Sequence, residues 1–324
     1  MGAYILRRTL QAIPILFGVA LVSFAIIQLS PGSPIDRFRT PNVRPETLEN
    51  LVRLYGLDKP VHEQFISWIS TFVQFWRVEA WGYSLVDGRS VRDTVVDRMP
   101  ATLLLGGTAL LVTILFAIPI GILAAVKQYS WADKAITTFA TIGYAIPSFL
   151  LGLYIAYIGG VVFRGAFPLF GMIDTTGRSD IAGSPLDVAW HMVLPVTSLA
   201  IQQIAGWSRY VRAKMLEVLN QDYVRTAKAK GLSTGKVTYK HALRNALIPV
   251  VTLFGLTLPG LLAGAVITES IFSWPGLGLL GLTAVEQRDY PVVLAFVMVG
   301  GFGVVLGNLL ADVLYGVVDP RIKY

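Results

Sequence analysis

The sequence predicts an all-α membrane protein with six transmembrane helices and both termini in the cytoplasm, on three observations. Of the 324 residues, 54% are hydrophobic and only 15% are charged, and the mean hydropathy is +0.61; such a chain meets lipid rather than water. Six stretches are apolar over about the 20 residues that a helix needs to cross the hydrocarbon core, and no alternating strand-and-turn pattern points to a barrel. Lys and Arg are unevenly placed: alternate segments beginning at the N-terminus hold 15 basic residues against 4 acids, and the others 12 against 15. The basic side is the cytoplasmic one.

The first span is Thr9 to Leu29, behind Arg7 and Arg8. It is longer than a signal-peptide core and no A-x-A site follows, so it is expected to stay uncleaved. Residues 31–100 then form an extracytoplasmic segment with helix punctuation of its own. Pro45 opens ETLENLVRLYG, with Gly56 just past the end, the asymmetry expected of a short helix. Val61, Phe65, Trp68, Phe72 and Trp76 recur at helical spacing and make one aromatic face. Two readings of that face are open: it packs on the spans or in the lipid interface, where Trp is favoured, or it docks an external partner. Ser90 with Asp93 reads as a capping box for a third short helix ending near Pro100.

The remaining spans are read as Thr102 to Val126, Ala135 to Val162, Trp190 to Gly206, Ile248 to Val266 and Pro291 to Tyr315. A core domain is thus expected over 101–315, containing a cytoplasmic loop at 207–247, with a cytoplasmic tail at 316–324. Pro119, Pro147, Pro195, Pro249 and Pro259, and the pairs Gly260/Gly264 and Gly303/Gly307, permit kinks and close approach. No Lys, Arg, Glu or His falls near the middle of a span, which counts against a proton-coupled carrier or a voltage sensor. Gln202, Gln203 and Asn308 are the uncharged polar exceptions; they bond between helices or touch a solute on its path. Asp312, near the inner end of the last span, is expected to anchor at the interface or form a local ion pair.

Several classes of function are excluded or disfavoured. There is no cysteine, so no disulfide, thiolate nucleophile or Cys-ligated metal exists. His62, His191 and His241 fall on separate segments and no H-E-x-x-H occurs; no catalytic or metal-binding residue is assigned. That argues against the rival of a membrane-embedded enzyme, while a passive channel would be told apart by flux that needs no ATP. The isoelectric point near 9.6 follows from topology and needs no nucleic acid.

RTAKAKGLSTGKVTYKHALRNALIP, Arg225 to Pro249, carries the chemistry. Asp222 is a good N-cap for Tyr223 to Lys230, and Gly231 a good stop. Ala227 and Gly231, four apart, leave one side nearly bare, and Arg225, Lys228 and Lys230 ring it. A knob of that kind fits a groove on another protein; a loop lying on solvent or lipid headgroups is the other reading. GLSTGKVT departs from the phosphate loop G-x-x-x-x-G-K-[ST] in its glycine spacing and at Val237. Any ATP that drives this chain must therefore be bound by another subunit.

This passage resembles the coupling loop, or EAA loop, of permease subunits of ABC importers, specifically the oligopeptide/dipeptide permease family. RTA-K-A-K-G-L at Arg225 to Leu232 and HALRNALIPV at His241 to Val250 match its form, as do YILRRTLQAIPILFGVALVSF, LSPGSP, YGLDKP, RMPATLLL, ESIFSWPGLG and ADVLYGVVDPR. The blocks run in order along nearly the whole chain.

The resemblance implies a type I ABC importer permease architecture in a bacterial or archaeal cytoplasmic membrane. The implied partners are a homologous second permease, two cytoplasmic ATPase subunits that bind ATP and Mg, and an extracytoplasmic solute-binding protein docking on the outer segment. It also implies ATPase docking at Ala227 and Gly231, flanked by Arg225, Thr226 and Lys230. The departure is Arg-Thr-Ala in place of Glu-Ala-Ala, so a glutamate contact is not implied. Members of the family also serve oligosaccharides, nickel chelates and other solutes, and the spans hold no code for choosing among them.

Overall fold

The computed structural model of the protein describes residues 2–33, 35, 44–54, 56–74, 77, 79–163, 166–177, 179–237, 243–246, 248–263 and 265–318. Trp76, Gly264, His241 and the tail from 319 lie outside them.

The chain is helical throughout, with a single isolated bridge between Tyr83 and Ser90 among the described residues. Helix α1 (Gly2–Leu29) is followed by α2 (Pro45–Leu54) and α3 (Val61–Phe72). α2 begins at its proline and ends before Gly56, whose φ is +63°, and Leu57 N donates to Val52 O at 2.9 Å to close the end. The aromatic face of α3 lies on the first span: the Phe65 ring meets Phe17 at 5.9 Å and Phe24 at 5.3 Å, and Trp68 stacks on Phe24 at 6.1 Å. Of the two readings of that face, packing on a span describes Phe65 and Trp68.

Ser90 caps the next helix, accepting from Asp93 N, but that helix does not stop near Pro100. It continues as α4 (Val91–Val126), 36 residues long, so the expected third short helix and the second span are one rod. Pro100 and Pro119 each remove one hydrogen bond without ending it. The expected third span is corrected too. It is broken into α5 (Trp131–Ala145) and α6 (Ser148–Tyr157), the latter running on through a π-turn, Ile158–Val162, and the second half is bent by 104° from the first. Ile146, ahead of Pro147, is extended at φ −73° and ψ 127°, the conformation a following proline favours.

The fourth span, read as Trp190 to Gly206, is the central part of α7 (Pro185–Leu219), 35 residues capped by Ser184. The loop expected from 207 therefore begins only after Leu219. It holds α8 (Asp222–Ala229), α9 (Thr234–Lys236) and α10 (Leu243–Ala246). α11 (Ile248–Ala263), α12 (Val266–Ile271), α13 (Leu277–Glu286) and α14 (Tyr290–Val318) complete the order. Among the described residues four helices are long and apolar enough to cross a membrane, namely α1, α4, α7 and α14, and the bent pair makes up to five.

α4 packs along α7 over a core of Leu110, Ala117, Trp207, Val211 and Met215, which Ala246 and Val250 close at one end. Glycine sets the approach: a Cβ at Gly121 would stand 2.7 Å from the Ser208 carbonyl oxygen. α11 packs along α14, where a Cβ at Gly307 would stand 2.8 Å from Pro259 Cα. α1 lies to one side, exposing Leu6, Leu10, Ile13, Leu21 and Ile26, as a lipid-facing helix does. Arg8 joins its N-terminal end to Asp312 of α14 at 3.0 Å, so a local ion pair is what Asp312 makes.

Candidate functional site

α8 is built to present one face. Thr226 Oγ donates back to the Asp222 carbonyl at 2.9 Å, and Lys230 N donates to Thr226 O at 3.0 Å. The chain then turns through Gly231 at φ +75°, a conformation that carries no steric cost for glycine. Val224 and Ala227, three apart, fall on one side and pack with Val237 against Val218 and Leu219 at the end of α7. Tyr223, Arg225, Thr226, Lys230 and Gly231 are exposed on the other. Ala227 is therefore turned into the chain: the outward surface is the cationic one, and the alanine sets how closely α8 sits on α7. The Arg225–Asp222 pair, at 3.8 Å between strongly exposed groups, contributes little and leaves the guanidinium available.

The start of α5 is tied to the same end of α7. Arg212 donates twice to Asp133, from Nε at 2.6 Å and from Nη2 at 2.8 Å, and the Asp133 side chain is only 4% exposed. Tyr129 N adds a third bond to that carboxylate at 2.9 Å. A bidentate pair of this kind fixes angle as well as distance. In the sequence Asp133 is one of the 4 acids on the side expected to be cytoplasmic, and nothing local points to its partner, which lies 79 residues away.

Gln202, also on α7, reaches the break between α5 and α6 and donates from Nε2 to the Ile146 carbonyl. The break takes that carbonyl out of any helical ladder, and in an apolar surrounding an unpaired carbonyl is costly. Gln203 faces Thr113 of α4 at 3.4 Å, while Thr113 itself donates to Ala109 O at 2.8 Å. Asn308 is exposed on α14. The three polar residues are thus not brought together: two join helices and the third faces outward.

Glu269 of α12 is fully buried and went unassigned in the sequence. Its carboxylate accepts from Thr102 Oγ at 3.0 Å, Ala265 N at 3.3 Å and Leu279 N at 3.0 Å. Thr102 Oγ in turn accepts from Leu277 N at 2.7 Å, and Trp274 Nε1 donates to Ala101 O at 2.8 Å. Gly276 makes room, since a Cβ there would overlap the carboxylate. The signal was ESIFSWPGLG itself: an acid inside an apolar run, followed by two glycines at close spacing. The clasp fastens α4 to the turn between α12 and α13. Among the described residues no group of three His, Cys, Asp or Glu could hold a metal ion.

Comparison with known proteins gives two family matches that divide the chain. Residues 117–324 match "Binding-protein-dependent transport system inner membrane component", and residues 1–106 match the N-terminal model of such membrane components. The chain is 42% identical to oligopeptide transport system permease protein AppB of Bacillus subtilis, covering 100% of both chains. It is 40% identical to di/tripeptide transport system permease protein DppB of Pseudomonas aeruginosa (100% of this chain, 99% of that one). With glutathione transport system permease protein GsiC of Escherichia coli K12 it shares 36% over 99% of each. Among solved structures, an inward-facing form of the MetNI methionine ABC transporter matches with a TM-score of 0.53 at 16% identity. That match covers 70% of this chain and 96% of the other.

Proposed function

Because the chain belongs to the family of binding-protein-dependent transport system inner membrane components, we propose that it is a membrane-spanning permease of an ATP-driven importer that takes up di- or oligopeptides. The observation that carries the assignment is the end-to-end likeness, at 42% identity, to a permease named for oligopeptide transport. The chain is a transport subunit rather than an enzyme. A homologous permease completes the path, two cytoplasmic ATPase subunits bind ATP and Mg, and an extracytoplasmic binding protein delivers the solute.

In this reading the protein crosses a bacterial or archaeal cytoplasmic membrane six times, with both termini inside and residues 31–100 outside. The spans are α1, α4, the bent pair of α5 and α6, α7, α11 and α14. α11 has 16 residues, which rise roughly 24 Å; a span that short is accommodated by local thinning of the bilayer or by flanking residues. The two breaks in regular helix near the core, at Ile146 and around Glu269, are both satisfied by protein groups, as irregular backbone at membrane depth requires.

The geometry supports a route for coupling. The exposed face of α8, with Arg225, Thr226, Lys230 and Gly231, docks on an ATPase subunit, and Ala227 with Val224 transmits its displacement to α7. α7 is one uninterrupted helix that holds α5 at both ends, at Asp133 through Arg212 and at Ile146 through Gln202. Closure of the ATPases then favours an outward-open arrangement, and release of products restores the inward-open one. Mass spectrometry of the complex purified gently from native membranes tests the reading. Two ATPase subunits, a second permease and a binding protein are expected; recovery of this chain alone, under conditions that keep a known importer intact, contradicts it.

A further inference from the structure

A cavity of about 350 Å³ opens where α1 ends, between that helix, α2, α3 and the first turn of α14. Its floor is apolar, formed by Phe24, Ile27 and Leu294, and Trp68 and Trp81 stand in its wall. Arg53 and Lys59 are the charged residues that line it, and no carboxylate does so among the described residues. Neither cation takes part in an ion pair among the described residues. Gln64, which shapes the wall between them, is held by its bonds to Gln28 at 2.9 Å and to the Lys59 carbonyl at 2.8 Å.

We infer that this cavity binds the headgroup of an anionic glycerophospholipid, its phosphate between Arg53 and Lys59 and its acyl chains along α1. The ligand must match two cations above an apolar floor, and a soluble anion would leave that floor unused. Access is from the bilayer: on the same side of α1 as Phe24 and Gln28, Phe17 (51%) and Leu21 (47%) are exposed along the helix below the cavity, and tryptophans at this level are what a membrane interface selects. Basic pockets between membrane helices bind anionic headgroups on the cytoplasmic side, and the same charge match is offered here at what the proposed topology makes the outer side. The size lies at the lower end of the roughly 300–1,000 Å³ range of small-ligand sites. The site is separate from α8 and from the α5–α6 break, so it stands or falls independently of the coupling route. Its effect would be to hold α2 and α3 against α1, because Arg53 is on α2, Lys59 in the turn to α3, Trp68 on α3 and Phe24 on α1.

The test is native mass spectrometry of the purified complex titrated with phosphatidylglycerol and, separately, with phosphatidylcholine of the same acyl chains. One retained phosphatidylglycerol is expected, favoured by about tenfold, the ratio that one moderate charge-assisted contact supplies. The double variant Arg53→Gln/Lys59→Gln should lose that preference. Arg89→Gln/Arg92→Gln, which removes the same charge from either side of the Ser90 cap of α4, should keep it. Equal retention of the two lipids, or a preference that survives the double variant, overturns the proposal. Glycerol phosphate that displaces the lipid at equal concentration would make this a soluble-anion site, and overturns it as well.

Discussion

Gln202 donates from Nε2 to the main-chain carbonyl of Ile146, the residue at which the chain turns through 104° between α5 and α6. Gln202→Leu leaves that carbonyl unpaired among apolar groups, and about 1–3 kcal/mol of stability is expected to go. Thermal unfolding of the detergent-solubilised complex reads the effect. Gln203→Leu serves as the comparison and should cost less than half as much, because Thr113 keeps its bond to the Ala109 carbonyl. Equal effects from the two variants would remove Gln202 from its place at the break.

The clasp at Glu269 makes a graded prediction. Glu269→Leu strands three donors, from Thr102, Ala265 and Leu279, whereas Glu269→Gln retains one acceptor oxygen. Loss of folded protein should therefore be severe in the leucine variant and moderate in the glutamine variant. Gly276→Ala, which drives a methyl into the carboxylate, should resemble the leucine variant. Recovery of monodisperse complex from membranes gives the ranking, and a tolerated Gly276→Ala would contradict the packing described.

How much of this was legible in the sequence depended on how local each cause is. The limits of α2 and the Ser90 cap were readable because Pro45, Gly56 and the Ser90–Asp93 spacing act within a few residues. The prolines were not: Pro100, Pro119 and Pro195 stay inside helices, whereas Pro147 breaks one. A helix that loses a single bond survives if its packing continues, as that of α4 along α7 does. At Pro147 a distant side chain is available to satisfy the freed carbonyl, and no local pattern announces Gln202. The basic knob was readable as a helix, but the inward turn of Ala227 depends on Val218 and Val237 closing over it. Glu269 and the Asp133–Arg212 pair are likewise long-range, and charge alone gave no reason to join them.

Gly231 separates bulk from backbone. A Cβ there meets nothing within 4 Å, yet φ is +75°, so Gly231→Asn, which tolerates the left-handed region, should keep substantial uptake. Gly231→Trp should insert into the membrane normally and abolish uptake by blocking the docked surface. Labelled-peptide uptake, read beside the amount of chain in the membrane, distinguishes them. Normal uptake by the tryptophan variant would place docking elsewhere.

Asp312 acts locally rather than as a relay. Its partner Arg8 is 46% exposed and Asp312 is 21% exposed, so the pair contributes less than about 1 kcal/mol. Asp312→Asn should leave the rate of uptake and its dependence on external pH unchanged. A changed pH profile would show that the carboxyl group carries protons.

The absence of cysteine allows the most direct measurement of coupling. Thr226→Cys, on the exposed face of α8, is introduced into the otherwise cysteine-free chain and treated with a short bifunctional crosslinker in native membranes. Val73→Cys, past the end of α3, is the control in the segment proposed to lie outside. The account predicts that Thr226→Cys joins an ATPase subunit identified by mass spectrometry, in a yield that changes when ATP is bound, and that Val73→Cys does not. Crosslinking of both positions to the ATPase, or of neither, would contradict it.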